Sequence, residues 1–149
     1  MELTVAARSD VGMIRSGNED AFFAQATRER GVFIVADGMG GHAAGEVASE
    51  MATRLIAEEF RPVRGMTDDE LMAQMVGAIR ASDAAIFQRT VEEHDKRGMG
   101  TTTTVLALLP RRYLIGQVGD SRAYLLRGGV LTQLTKDHSY VQEQVDAGR

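Results

Sequence analysis

Apolar residues recur at every second position at the start of the chain, where Leu3, Val5 and Ala7 predict a first strand. A second short strand is expected over Ala21–Ala26 and a third, apolar enough to be central, over Gly31–Asp37. The period then lengthens. From Glu46 to Phe60, Val47, Met51, Leu55 and Ile56 fall on one helical face, with Glu50, Arg54 and Glu58 around it. Pro62 and Gly65 mark Arg61–Met66 as a loop. Thr67-Asp68-Asp69-Glu70 has the form of a capping box, with threonine at the cap, glutamate three residues on and acids in the first turn. Leu71, Met75, Ile79 and Ile86 carry that second helix to about His94, and Gly98 and Gly100 end the pattern.

Beyond Gly100 the residues become β-branched and aromatic. Thr101–Leu109, Arg112–Gly119 and Arg122–Arg127 read as strands, bounded by turns at Pro110 and at Gly128-Gly129. Paired glycines suit a tight primed turn, so Val130–Thr135 is expected to fold back as a hairpin. Ser139–Ala147 reads as the start of a further helix. Strands, two helices, then strands again predict an α+β domain with mainly antiparallel sheet, because a doubly wound fold alternates strand and helix throughout. With 149 residues and no repeat or linker, residues 1–149 are expected to form a single domain.

Composition narrows the function classes. The chain is 44% hydrophobic and 26% charged with two prolines, which is a globular profile. Its net charge of −4 and lack of a Lys/Arg cluster speak against nucleic acid as a partner. No apolar run approaches a membrane span, and MELTVAARSD lacks the apolar core of a signal peptide. There is no cysteine, hence no disulfide framework and no thiolate metal site, and a cytoplasmic location is the expectation.

The chemistry concentrates where the third strand stops on Asp37 and runs into Gly38-Met39-Gly40-Gly41-His42-Ala43. This stretch satisfies the G-x-G-x-x-A dinucleotide fingerprint, but Asp37 would face the pyrophosphate with a like charge. The acid expected about 20 residues on would be Glu58 or Glu59, inside a helix rather than at a strand end. A P-loop is excluded because no G-x-x-x-x-G-K-[ST] occurs. A hard divalent cation fits better. A strand-end carboxylate and the unshielded carbonyl of Gly38 are both oxygen donors.

Such a site needs further acids. Arg15-Ser16-Gly17-Asn18-Glu19-Asp20 offers two carboxylates and a guanidinium suited to bidentate phosphate binding. Val118-Gly119-Asp120-Ser121-Arg122 repeats the pattern of an aspartate after glycine at a strand end. An arginine beside metal-binding acids is the set of parts for phosphoryl chemistry. The ordinary readings stand beside this one: Asn-Glu-Asp and Gly-Asp-Ser are common polar turns, and His42 fits a ligand, a proton donor or a packing residue. His94 and His138 read as surface residues, and Met39, Met51, Met72 and Met75 as core or rim.

Taken together, Ser9-Asp10-Val11-Gly12 through Arg15, Asn18-Glu19-Asp20-Ala21, Val35–His42, Gly100-Thr101-Thr102, Val118–Tyr124 and Leu134–Ser139 resemble, in order, the motifs of the PPM (PP2C-type) metal-dependent protein serine/threonine phosphatases in their bacterial form. The resemblance implies a PP2C-like sandwich of two antiparallel β-sheets flanked by helices, with two Mn²⁺ or Mg²⁺ ions at one end and a third, weaker ion in bacterial members. It implies that Asp37 bridges both metals and Gly38 gives its carbonyl to one. Glu19 and Asp20 would hold that ion directly or through water, Arg15 would bind the substrate phosphate, and Asp120 would contribute to the third ion. The implied reaction is hydrolysis of phosphoserine and phosphothreonine by a metal-activated water, on substrates of a bacterial-type kinase.

Two departures accompany the resemblance. A histidine proposed as general acid in animal members stands where Met39 is here, which leaves His42 or a metal-bound water as candidate proton donor. The flap, further strands and two more metal-binding aspartates of the family have no counterpart in these 149 residues. The expectation is therefore an N-terminal part of the catalytic domain, incomplete at its C-terminus, with exposed sheet edges open to self-association. The competing reading is a catalytically inactive phosphate-binding or regulatory fragment.

Overall fold

The structure, a computed structural model, describes residues 3–8, 19–28, 30–40, 44–137 and 141–145. Within these the chain forms β1 (Asp20–Ala26), β2 (Gly31–Met39), α1 (Ala44–Glu59), α2 (Asp68–Glu92), β3 (Gly100–Leu109), β4 (Arg112–Val118), β5 (Tyr124–Arg127), β6 (Val130–Gln133) and β7 (Val141–Val145). A short 3₁₀ turn at His94–Lys96 follows α2. Five strands make one antiparallel sheet in the order β1-β2-β3-β4-β7, and β5 and β6 pair in a second. The α+β arrangement with two antiparallel sheets thus matches the expectation.

Both helices pack on one face of the large sheet, α1 against β1, β2 and β3 and α2 against β3, β4 and β7. Alternation along β2 sets this up. Val32, Ile34 and Ala36 are buried against the helices, while Val35, Asp37 and Met39 point the other way and are exposed. Val105, Ala107 and Leu114 extend the buried face across β3 and β4. From the helices come Met51, Ile56, Leu71, Met75 and Ile79. The contact face of α1 differs from the predicted one. Val47 and Leu55 are only partly covered, whereas Ala44, Ala48, Ser49 and Ala52 are buried. Small side chains there let the helix axis approach the sheet closely.

The second helix begins as read. Thr67 is its cap, and its Oγ1 accepts a hydrogen bond from the Glu70 N–H at 3.1 Å. Asp68 in the first turn also pairs with Arg112 Nε at 2.8 Å, which fixes the helix start to the edge of β4. The predicted hairpin forms at Gly128 (φ 57°) and Gly129 (φ 80°), both in the left-handed region that a primed turn requires. Arg122 closes its base by donating from Nε and Nη2 to Asp137 at 3.2 and 3.0 Å.

Two predicted elements are corrected. Residues 3–8 form no strand: they pair with none of the described strands, and period-2 patterning without a ladder partner gives only extended chain. Leu3 instead lies over Gly31, its Cδ1 3.1 Å from where a Cβ would stand. The helix expected over Ser139–Ala147 is replaced, at Val141–Val145, by β7, which pairs antiparallel with Arg112–Gly116. Five residues whose apolar members are four apart satisfy either period, and the open edge of β4 decides for the strand.

Candidate metal centre

The three elements that meet at the end of β2 do so through atoms that leave no room for side chains. The Gly38 N–H donates to the Glu19 carbonyl at 3.0 Å, just before β1. A Cβ on Gly38 would collide with the backbone carbonyl of Gly45 and come within 2.8 Å of the Glu19 oxygen. A Cβ on Gly45, in the first turn of α1, would in turn lie 2.7 Å from Glu19 Cδ and 2.9 Å from each of its carboxylate oxygens. Glu19 thus sits against the N-terminal turn of α1, where the helix dipole favours a negative charge. Gly40 (φ 141°) turns the chain away and packs on Met99. Glycine at 38, 40 and 45 is a requirement of packing as well as of access.

Asp20 and Asp37 are register partners on β1 and β2, so both exposed carboxylates stand on the face away from the helices. Like charges directly opposite destabilise a strand pair, and a cation between them reverses that sign. On the other side of Asp37 the register partner is Thr102 of β3. Thr102 Oγ1 accepts from the Asp37 N–H at 3.2 Å and shares a 2.7 Å hydrogen bond with the Ser121 hydroxyl. Gly119 (φ 99°) lies against Thr102, where a Cβ would stand 2.7 Å from Thr102 Cγ2. Asp120, exposed, sits between these two residues in the turn after β4. Thr104 Oγ1 donates to the Ser121 carbonyl at 3.4 Å, and Gln117 Nε2 to the Gly119 carbonyl at 2.8 Å, so the turn carrying Asp120 is held from below.

Of the residues singled out in the sequence, the structure brings Glu19, Asp20, Asp37 and Gly38 to one junction. Asp120, in the turn after β4, stands two strands from Asp37 at the same sheet end. Arg15, His42 and His138 lie outside the described residues. Met39 is 53% exposed on the rim, Met51 and Met75 are core, and His94 is on the surface. Among the described residues no three acidic or histidine side chains gather into one cluster sized for a metal. The donors present are all oxygen and suit a hard cation as part of its ligand set. Sequence reasoning gave no role to Thr102, Ser121 or Gly45. The signal for the first two was their place inside motifs already recognised.

A cavity of about 720 Å³ lies elsewhere, at the Gly31 end of β2 beneath Phe23, Arg54 and Phe60, and does not serve this junction.

An antiparallel sheet under two helices thus presents, at one end, strand-end acids framed by glycine, an oxygen donor set suited to a hard cation. Residues 14–146 match the family model described as protein phosphatase 2C, and the chain belongs to that family. It is 45% identical to the serine/threonine protein phosphatase PstP of Mycobacterium tuberculosis over 151 residues, covering 99% of this chain and 27% of that protein. It is 41% identical to the serine/threonine phosphatase stp of Listeria monocytogenes over 143 residues, covering 95% of this chain and 57% of the relative. The solved catalytic domain of PstP, in complex with two manganese ions, superposes with a TM-score of 0.74 at 43% identity, over 89% of this chain and 54% of that one. The chain therefore spans about a quarter to just over half of the length of these relatives.

Proposed function

We propose that this chain is the N-terminal part of the catalytic domain of a protein serine/threonine phosphatase that hydrolyses phosphoserine and phosphothreonine with Mn²⁺ or Mg²⁺, and that it carries part of the metal site. The observation that supports it is the junction of Asp20, Asp37 and Gly38 at one end of the β1–β2 pair, against the first turn of α1. Asp37, Asp20 and the Gly38 carbonyl would hold the ions, with Glu19 beside them and Asp120 contributing to a further ion. A bound pair of divalent ions supplies an activated water and neutralises the charge on phosphate. The chain's own part is positional. Thr102 fixes the Asp37 backbone, Glu19 fixes that of Gly38, and the glycines keep side chains out of the approach. Arg15 would grip the phosphate oxygens as a fork.

Phosphorylated proteins, substrates of a bacterial-type kinase, follow as partners, and a cytoplasmic location agrees with them. Among the described residues no helix is long and apolar enough to cross a membrane. Exposed Phe22 and Val35, each 50% accessible, and the edge of β1 are the surfaces through which copies would associate.

The test is hydrolysis of a phosphothreonine peptide with added Mn²⁺, beside Asp37→Ala. Manganese-dependent turnover that falls on the order of 10² to 10³-fold in the variant is expected. Turnover equal in the two proteins would remove Asp37 from the mechanism. A folded chain that binds Mn²⁺ and phosphate without turnover would select the inactive, phosphate-binding reading.

A further inference from the structure

A second cavity, of about 470 Å³, opens between the C-terminal half of α2 and the start of β3. Its walls include Asp83, Phe87 and Thr90 from the helix and Arg97, Met99 and Thr101 from the chain leading into the strand. It adjoins the candidate centre. Thr101 is the register partner of Gly38, Gly100 that of Met39, and the backbone of Met99 is what Gly40 packs against. Asp83 makes no hydrogen bond or ion pair with any of the described residues. It is half-buried, and desolvation raises its pKa above the ordinary aspartate value. The one cation in the wall, Arg97, turns its Nη2 towards His94 Nδ1 at 3.3 Å. Phe87 is 68% exposed and Met99 is buried, which together give an apolar wall beside the carboxylate.

An unpaired carboxylate beside an aromatic ring and a thioether fits a group with an apolar stem and a cationic head. We propose that this cavity is a specificity subsite for a lysine or arginine side chain of the phosphorylated polypeptide, its stem against Phe87 and Met99 and its charge on Asp83. The inference rests on the phosphatase reading for the phosphate end of the substrate. It adds a preference that the metal junction alone does not supply, since the cation would offset the desolvation that now burdens Asp83.

The test uses the native chain and a set of phosphothreonine peptides, each with one lysine at a different distance from the phosphoresidue and a norleucine counterpart. Binding is followed by amide ¹⁵N–¹H shifts. At one spacing the lysine peptide is expected to bind about fivefold more tightly than its norleucine partner. The amides of Phe87, Thr90 and Thr101 should shift, and Asp83→Asn should remove the preference. No preference at any spacing, a preference that survives Asp83→Asn, or equal binding of the same peptide without its phosphate would each overturn the subsite. If Asp83→Asn does not fold, the lysine–norleucine comparison on the native chain decides alone. Turnover of p-nitrophenyl phosphate, which carries no cation, tests the phosphatase reading separately.

Discussion

The two faces of the five-stranded sheet have been given to different tasks. On the helix side, Ile34, Ala36, Val105 and Leu114 are fully buried and make up the core. On the opposite side, one position along each strand, Phe22, Val35 and Met39 remain about half exposed. There the buried groups include the polar Thr102, Thr104 and Gln117 beside the apolar Ile115. A single residue step along β2 separates Ala36, buried in the core, from Asp37, whose carboxylate stands on the exposed face. The lesson is that the period of two lets one strand serve both ends, provided that the helices cover only one of its faces.

Substitutions at neighbouring positions should separate the two faces. Ile34→Ala is expected to cost about 2–5 kcal/mol in urea unfolding, and Val35→Ala less than about 1. Equal losses would mean that the exposed face is packed in solution. Gly38→Ala should cost about 1–3 kcal/mol, because its Cβ meets backbone at Gly45 and Glu19 and not a movable side-chain tip. That loss should come with weaker Mn²⁺ binding, measured by calorimetry. Thr102→Val removes the acceptor of the Asp37 N–H and the partner of Ser121, at about 1 kcal/mol.

The smallest effect is the pH dependence of Asp83→Asn. Since burial raises the Asp83 pKa, the folded state holds that proton more tightly than the unfolded one, and ionisation costs the fold stability. The cost is absent below the ordinary aspartate range and complete above the raised value. The variant's gain in Tm should accordingly be nil in acid and a small plateau at neutral pH. A gain independent of pH would rule out the charge as its cause.

Much of the buried face was legible in advance, because Leu71, Met75, Ile79 and Ile86 repeat at helical spacing and Gly31–Asp37 is apolar enough to be central. The place of Asp37-Gly38 near the end of β2 was legible too, since an apolar run that stops on a carboxylate and glycine marks a strand end. What could not be read was anything decided by a distant partner. Residues 3–8 alternate like a strand and have no ladder, whereas Val141–Val145 acquires one from β4. Gly45 resembles any small residue in a helix until Glu19 is seen against it. Thr102 and Ser121 are commonplace residue types whose 2.7 Å contact joins positions far apart in the chain.

The order of pairing in the large sheet also bears on how the molecule comes together. β1 with β2, and β3 with β4, are joined by short turns and can zip locally, whereas β2 and β3 are separated by the whole of residues 40–99. Closing that loop carries the largest entropic cost, so the β2–β3 seam is expected to form late, once α1 and α2 have docked. Asp37 lies on one side of the seam, and Thr102, Gly119 and Asp120 lie on the other or beyond it. The Asp20–Asp37 pair is thus expected to form early with the β1–β2 hairpin, and Thr102 and Asp120 to join it late, when the seam closes. A cation that bridges the seam would act chiefly by slowing unfolding.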